Sequence, residues 1–128
     1  MIEPNILHYT RIETVPGGGS KFADDSTSLT VRPVAVGTAP MATGELPSAQ
    51  AVFVRSGEFD STPHPAPARQ WVVMIRGTIE VTTTAGEKRV FAPGDLLLVS
   101  DTEGLGHSTL ALGSPPFEAL FLPAPDHA

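Results

Sequence analysis

Apolar residues fall along this chain in short runs, and no run shows the 3.6-residue period of an amphipathic helix. Gln50–Arg55, Arg69–Arg76, Thr78–Thr84, Glu87–Phe91, Asp95–Val99, His107–Leu112 and Phe117–Leu122 are rich in β-branched or aromatic residues and are separated by turn residues. Segments of that kind predict strands. Together they predict an all-β sandwich or barrel. Asp95–Val99 is continuously apolar after its aspartate, so burial on both faces is expected there. In Arg69–Arg76 the two-residue period places Gln70, Val72, Met74 and Arg76 on one face, with Arg69, Trp71, Val73 and Ile75 on the other.

Before residue 50 the pattern is softer. His8–Val15 and Ser28–Val36 read as strands, Pro16–Ser20 as a flexible turn, and Gly37–Ser48 as loop, because Gly, Pro, Thr and Ser dominate it. A length of 128 residues suits a single domain, 1–128, with N-terminal strands and an arm over 1–49 and a barrel core over 50–123.

Composition narrows the partners. Gly and Pro supply 12 and 13 positions and charged residues only 17%, which disfavours long helices, while 41% apolar content disfavours disorder. The net charge is −6 and the basic residues are scattered singly, so neither nucleic acid nor an anionic membrane finds a footprint. A small-molecule ligand is the better match. The absence of cysteine removes disulfides, thiolate metal sites and thiol nucleophiles. Met1–Asn5 lacks the basic start of a secretory leader, and no apolar run approaches membrane-spanning length, so a cytoplasmic protein is expected. A Gly-x-Ser-x-Gly turn, a His-Glu-x-x-His helix and a phosphate-binding Gly-rich motif are all missing.

Residues 57–111 carry a resemblance. Gly57, six residues, His64-Pro65-Ala66, Gln70, six residues and Gly77 resemble the first of the two cupin motifs. Gly94, Ser100-Asp101-Thr102, His107 and Ala111 resemble the second. Ala66 stands where that family carries a second histidine, Gln70 where it carries glutamate, and Ala111 where it carries asparagine; two extra residues precede His107. The segments His64–Gln70, Pro93–Asp95 and Asp101–His107 look like a group of small bacterial cupins mostly without assigned activity. The resemblance implies a cupin-type double-stranded β-helix, or jelly-roll, barrel with additional N-terminal strands. It also implies an inward-facing Gln70, a pocket open at one end and a homodimer.

The pocket would centre on His64, Gln70 and His107, with Met74 and Arg55 as further ligand-binding candidates. Imidazole nitrogens and an amide oxygen can ligate a divalent metal such as Zn, Ni, Fe or Mn. Charge counts against this, because neutral histidines and a glutamine leave the cation uncompensated. Without metal, the same three residues form a polar cluster that binds a ligand, and either histidine can serve as acid or base. The plainer readings are a loop histidine in a Pro-rich turn and a strand glutamine bonded to its neighbours. Asp101 and Glu103 would orient His107 or simply be solvated. Arg55 and Arg76 would bind an anion if inward-facing, or form surface ion pairs if outward-facing. Trp71, Phe53, Met74, Phe117 and Phe121 have the spacing of core residues. Two functions remain open: a small-molecule-binding module, or an oxygenase, isomerase or lyase acting on a small organic acid or sugar.

Overall fold

The computed structural model describes residues 5–33, 35–46, 50–56, 62–113 and 116–124, which are all-β with no helix. The strands are β1 (Ile6–Thr14), β2 (Ser20–Ser28), β3 (Thr30–Pro33), β4 (Pro40–Thr43), β5 (Val52–Ser56) and β6 (Gln70–Arg76). They continue as β7 (Thr78–Thr83), β8 (Lys88–Phe91), β9 (Leu96–Ser100), β10 (His107–Leu112) and β11 (Phe117–Pro123). A six-stranded sheet has the order β2-β1-β9-β6-β11-β5, and a three-stranded sheet the order β10-β7-β8. β1 runs parallel to β9, and the other neighbours are antiparallel.

Alternation decides which side chains meet between the sheets. In β7, Ile79, Val81 and Thr83 are buried while Thr78, Glu80 and Thr82 are half-exposed. Ile79, Val81 and Phe91 of the small sheet join Ile12, Val72, Met74, Leu97, Val99 and Ala119 of the large one in a single core. The central position of β9, between β1 and β6, buries Leu97, Leu98 and Val99 on both faces, as its apolar run predicts. Its outward Leu98 lies opposite Trp71, and Tyr9 meets the Trp71 ring edge-on at 4.9 Å. Trp71 is therefore buried on the outer face of the large sheet, outside the core between the sheets.

Three sequence expectations change. The strand expected over Ser28–Val36 is found as β3 over Thr30–Pro33, and β2 over Ser20–Ser28 was not expected. Within β2 the only buried apolar side chain is Phe22, so the alternation that marks a strand is faint; nine residues of pairing with β1 define it instead. The segment expected as loop contains β4, which pairs with β3 in an exposed hairpin. Phe53, expected in the core, is 53% exposed because it points outward from the edge strand β5. The described residues form two facing sheets with free edges and no closed barrel. The turn glycine Gly57 lies outside the described residues. No helix among them is long and apolar enough to cross a membrane.

Candidate functional site

A cavity of about 350 Å³ lies between the two sheets. Its walls are Ile12 from β1, Val72 from β6, Leu97 and Val99 from β9, Ile79 and Val81 from β7, and Phe117 and Phe121 from β11. His64, Gln70 and His107 also line it, with Ser56 and Thr109 as further polar groups. The sequence places Gln70 on the face of β6 that carries Val72, and the structure turns that face inward.

His64 and His107 are brought together by the backbone. His64 N–H donates to the His107 carbonyl at 3.0 Å, and His107 N–H returns the bond at 3.1 Å. Ala66 N–H donates to the Asp101 carbonyl at 3.0 Å, which extends this strap by one more rung. The two imidazole rings lie 6.0 Å apart between centroids. His64 is exposed, and its Nδ1 lies 3.1 Å from the carbonyl oxygen of Pro65.

Asp101 gives the site its charge. It is fully buried, and its Oδ2 lies 2.5 Å from Nδ1 of His107. A carboxylate at that nitrogen selects the tautomer protonated on Nδ1. Nε2 is then the ring nitrogen left for the cavity, which His107 lines and Asp101 does not. Asp101 Oδ1 is buried without a hydrogen-bond partner among the described residues. Of the two acidic loop residues, the solvated alternative holds for Glu103, which is exposed.

The loop carrying this pair is wedged between two other backbones. At Gly104 φ is +75°, and a Cβ would stand 2.2 Å from the Gly18 carbonyl oxygen; at Gly106 φ is +72°, and a Cβ would stand 1.9 Å from that of His64. Only glycine meets both demands at these positions. Leu105 N–H donates to Gly18 O at 2.8 Å, and the buried Ser20 hydroxyl donates to Gly106 O at 2.7 Å. Ser20 N–H in turn donates to Thr84 Oγ1 at 2.8 Å. The turn expected to be flexible, Pro16–Ser20, thus supports the site. Ser20 and Gly18 went unrecognised in the sequence because their partners lie more than 60 residues away, beyond any local pattern.

Two ligand-binding candidates lie elsewhere. Arg55 is on the outward face of β5, its Nε 2.7 Å from Glu118 Oε2, and it is absent from the cavity wall. Arg76 shares Glu118 at 3.5 Å, so both arginines follow the surface ion-pair alternative. Met74 is buried in the core and does not line the cavity. Phe121, expected in the core, is half-buried and lines it.

A metal would rely on His64, Gln70 and His107. No group of three or more His, Cys, Asp or Glu residues suited to a metal gathers among the described residues. The donors among the described residues are three neutral groups, with the Asp101 carboxylate one bond removed behind His107, and such a set fits a cation poorly. A more open depression of about 520 Å³ lies elsewhere, beside Tyr9, Asp24, Asp25 and Arg89. Of its charged groups, Asp24 pairs with Arg89 at 2.8 Å and Asp25 with Arg11, while Asp95 Oδ2 accepts from the Ala92 N–H at 2.8 Å.

No protein-family model matches the chain, and no curated protein matches it.

Proposed function

We propose that this chain is a small-molecule-binding protein of cupin type, with its ligand in the inner cavity and its polar contacts at His64, Gln70 and His107. The observation that carries this reading is the buried Asp101–His107 pair at the edge of a cavity walled mainly by apolar side chains. Apolar walls with a few convergent polar groups are the usual make-up of a ligand site. A carboxylate that orients an imidazole equips Nε2 to accept a proton from a bound molecule and return it. Among the enzyme classes left open, isomerase or lyase chemistry by proton transfer suits these residues better than oxygenase chemistry.

Ligand-observed NMR with phenol tests the binding site. Saturation transfer to phenol is expected with the wild type and is expected to fall in Thr109→Trp, which fills the cavity from a half-buried wall position. Equal transfer in both proteins would place phenol elsewhere and remove the cavity from the account.

The Asp101–His107 bond supports a second reading, because carboxylates also orient imidazoles that ligate metals. In that reading His64, Gln70 and His107 would hold a divalent ion, which would supply Lewis-acid chemistry to the ligand. Metal analysis of untagged protein separates the two readings. Less than stoichiometric metal is expected, whereas one equivalent lost in His64→Ala would favour the metal site.

A further inference from the structure

Among the described residues no Lys, Arg, Asp or Glu lines the inner cavity, and the only ionisable groups there are the two imidazoles. A carboxylate, phosphate or ammonium entering it would give up hydration without meeting an opposite charge. Asp101, the one buried carboxylate among the described residues, is engaged with His107 and would repel an anion further. The acceptable guest is uncharged. With a volume of about 350 Å³ and walls of Val, Leu, Ile and Phe, the cavity takes a small, largely apolar body with a polar group at one place.

Gln70 indicates what that polar group is. It is 8% exposed and lines the cavity. From that position its amide N–H groups can donate to an oxygen of a guest. His107 Nε2 supplies an acceptor for a proton in the same cavity. A donor for oxygen beside a base is the pairing needed to form an enol.

We propose that the cavity takes uncharged, largely apolar carbonyl compounds and interconverts their keto and enol forms, an inference that rests on the ligand site assigned above. His107 Nε2 forms a bond to a proton on the carbon next to the carbonyl. The C–H electron pair becomes the C=C bond, and the C=O π pair moves onto oxygen, where the Gln70 amide donates. The Asp101 carboxylate balances the charge of the imidazolium. His107 then delivers the proton to the oxygen, giving the enol, or back to carbon. Atoms and electrons balance without a co-reactant.

Phenylacetone and phenylpyruvate make a matched test, because they differ in a methyl against a carboxylate on the ketone. Loss of the benzylic proton signal in D₂O is followed by NMR, with each compound measured against buffer. The wild type is expected to accelerate exchange in phenylacetone by about 10²–10⁴-fold, and to accelerate phenylpyruvate less. His107→Ala is expected to abolish the acceleration and Gln70→Leu to lower it by about tenfold to a hundredfold. His107→Asn, which can still donate to Asp101, serves if the alanine variant fails to fold. Equal or greater acceleration of phenylpyruvate would overturn the uncharged substrate class while leaving the ligand site standing. Saturation transfer to phenylacetone without accelerated exchange would overturn the proton transfer, again leaving the ligand site. Absence of both would remove the proposal and the site together.

Discussion

His107 owes its role to Asp101, and neither residue explains itself alone. A fully buried carboxylate is costly unless it is hydrogen-bonded, and Asp101 meets that demand through one oxygen at His107 Nδ1. Asp101→Ala is expected to lower stability by about 1.5–3 kcal/mol, the usual worth of a bond to a charged group, read by urea unfolding. Gly106→Ala is expected to cost more than a typical surface change, since the new Cβ would collide with the His64 backbone. Its measurable sign is a displaced unfolding midpoint together with changed amide shifts at both His64 and His107. Tyr9 offers a pH test away from the site. Burial, and then the nearby Asp25 carboxylate, raise its hydroxyl above the ordinary 10.0. The folded protein thus holds this proton more tightly than the unfolded chain. The associated stability is fully present below the unfolded value and is lost as pH rises through the folded one. Tyr9→Phe is expected to flatten the alkaline limb of a stability–pH curve. At this scale His64, Gln70 and His107 were legible from the resemblance in the sequence. The burial of Asp101 was not, because an acidic Gly-rich loop has the same composition whether solvated or covered.

The element that matters most to the site is the β1–β2 turn. It meets the Gly104–Gly106 turn through backbone contacts and through Ser20, whose hydroxyl donates to Gly106 O. Ser20→Ala would leave that carbonyl without its buried donor, at about 1–3 kcal/mol. Hydrogen exchange at the Leu105 and His107 amides is expected to accelerate more than at Val81 in the core; uniform acceleration would mean that Ser20 supports the fold generally and not this loop. Strands β5 to β11 were legible in the sequence to within two residues at each end, because each combines β-branched or aromatic residues with flanking turn signals. β2 was hidden by its polar edge position, and β4 by a short Pro-containing sequence whose pairing with β3 is its only visible support.

At the scale of the molecule, two facing sheets enclose the cavity from both sides, and β1 reaches it from the N-terminal third through Ile12. Among the described residues the sheets keep free edges, and Val31 and Met41 of the β3–β4 hairpin are more than half exposed, at 57% and 53%. A lone two-stranded hairpin is marginal in water. The resemblance implies a homodimer, and on that expectation light scattering after size exclusion returns twice the 13.4 kDa chain mass at micromolar concentration. The all-β class was legible from strand spacing; the open edges were not, since barrel closure depends on contacts between distant strands. The central claim is that a ligand in the inner cavity meets His107 Nε2. Long-range ¹H–¹⁵N spectra of the imidazoles read it most directly. A proton on Nδ1 of neutral His107 is expected, with an Nε2 resonance that moves as phenylacetone is added and a smaller movement in Thr109→Trp. An Nε2 resonance unmoved at saturating phenylacetone, or a neutral His107 protonated on Nε2, would contradict it.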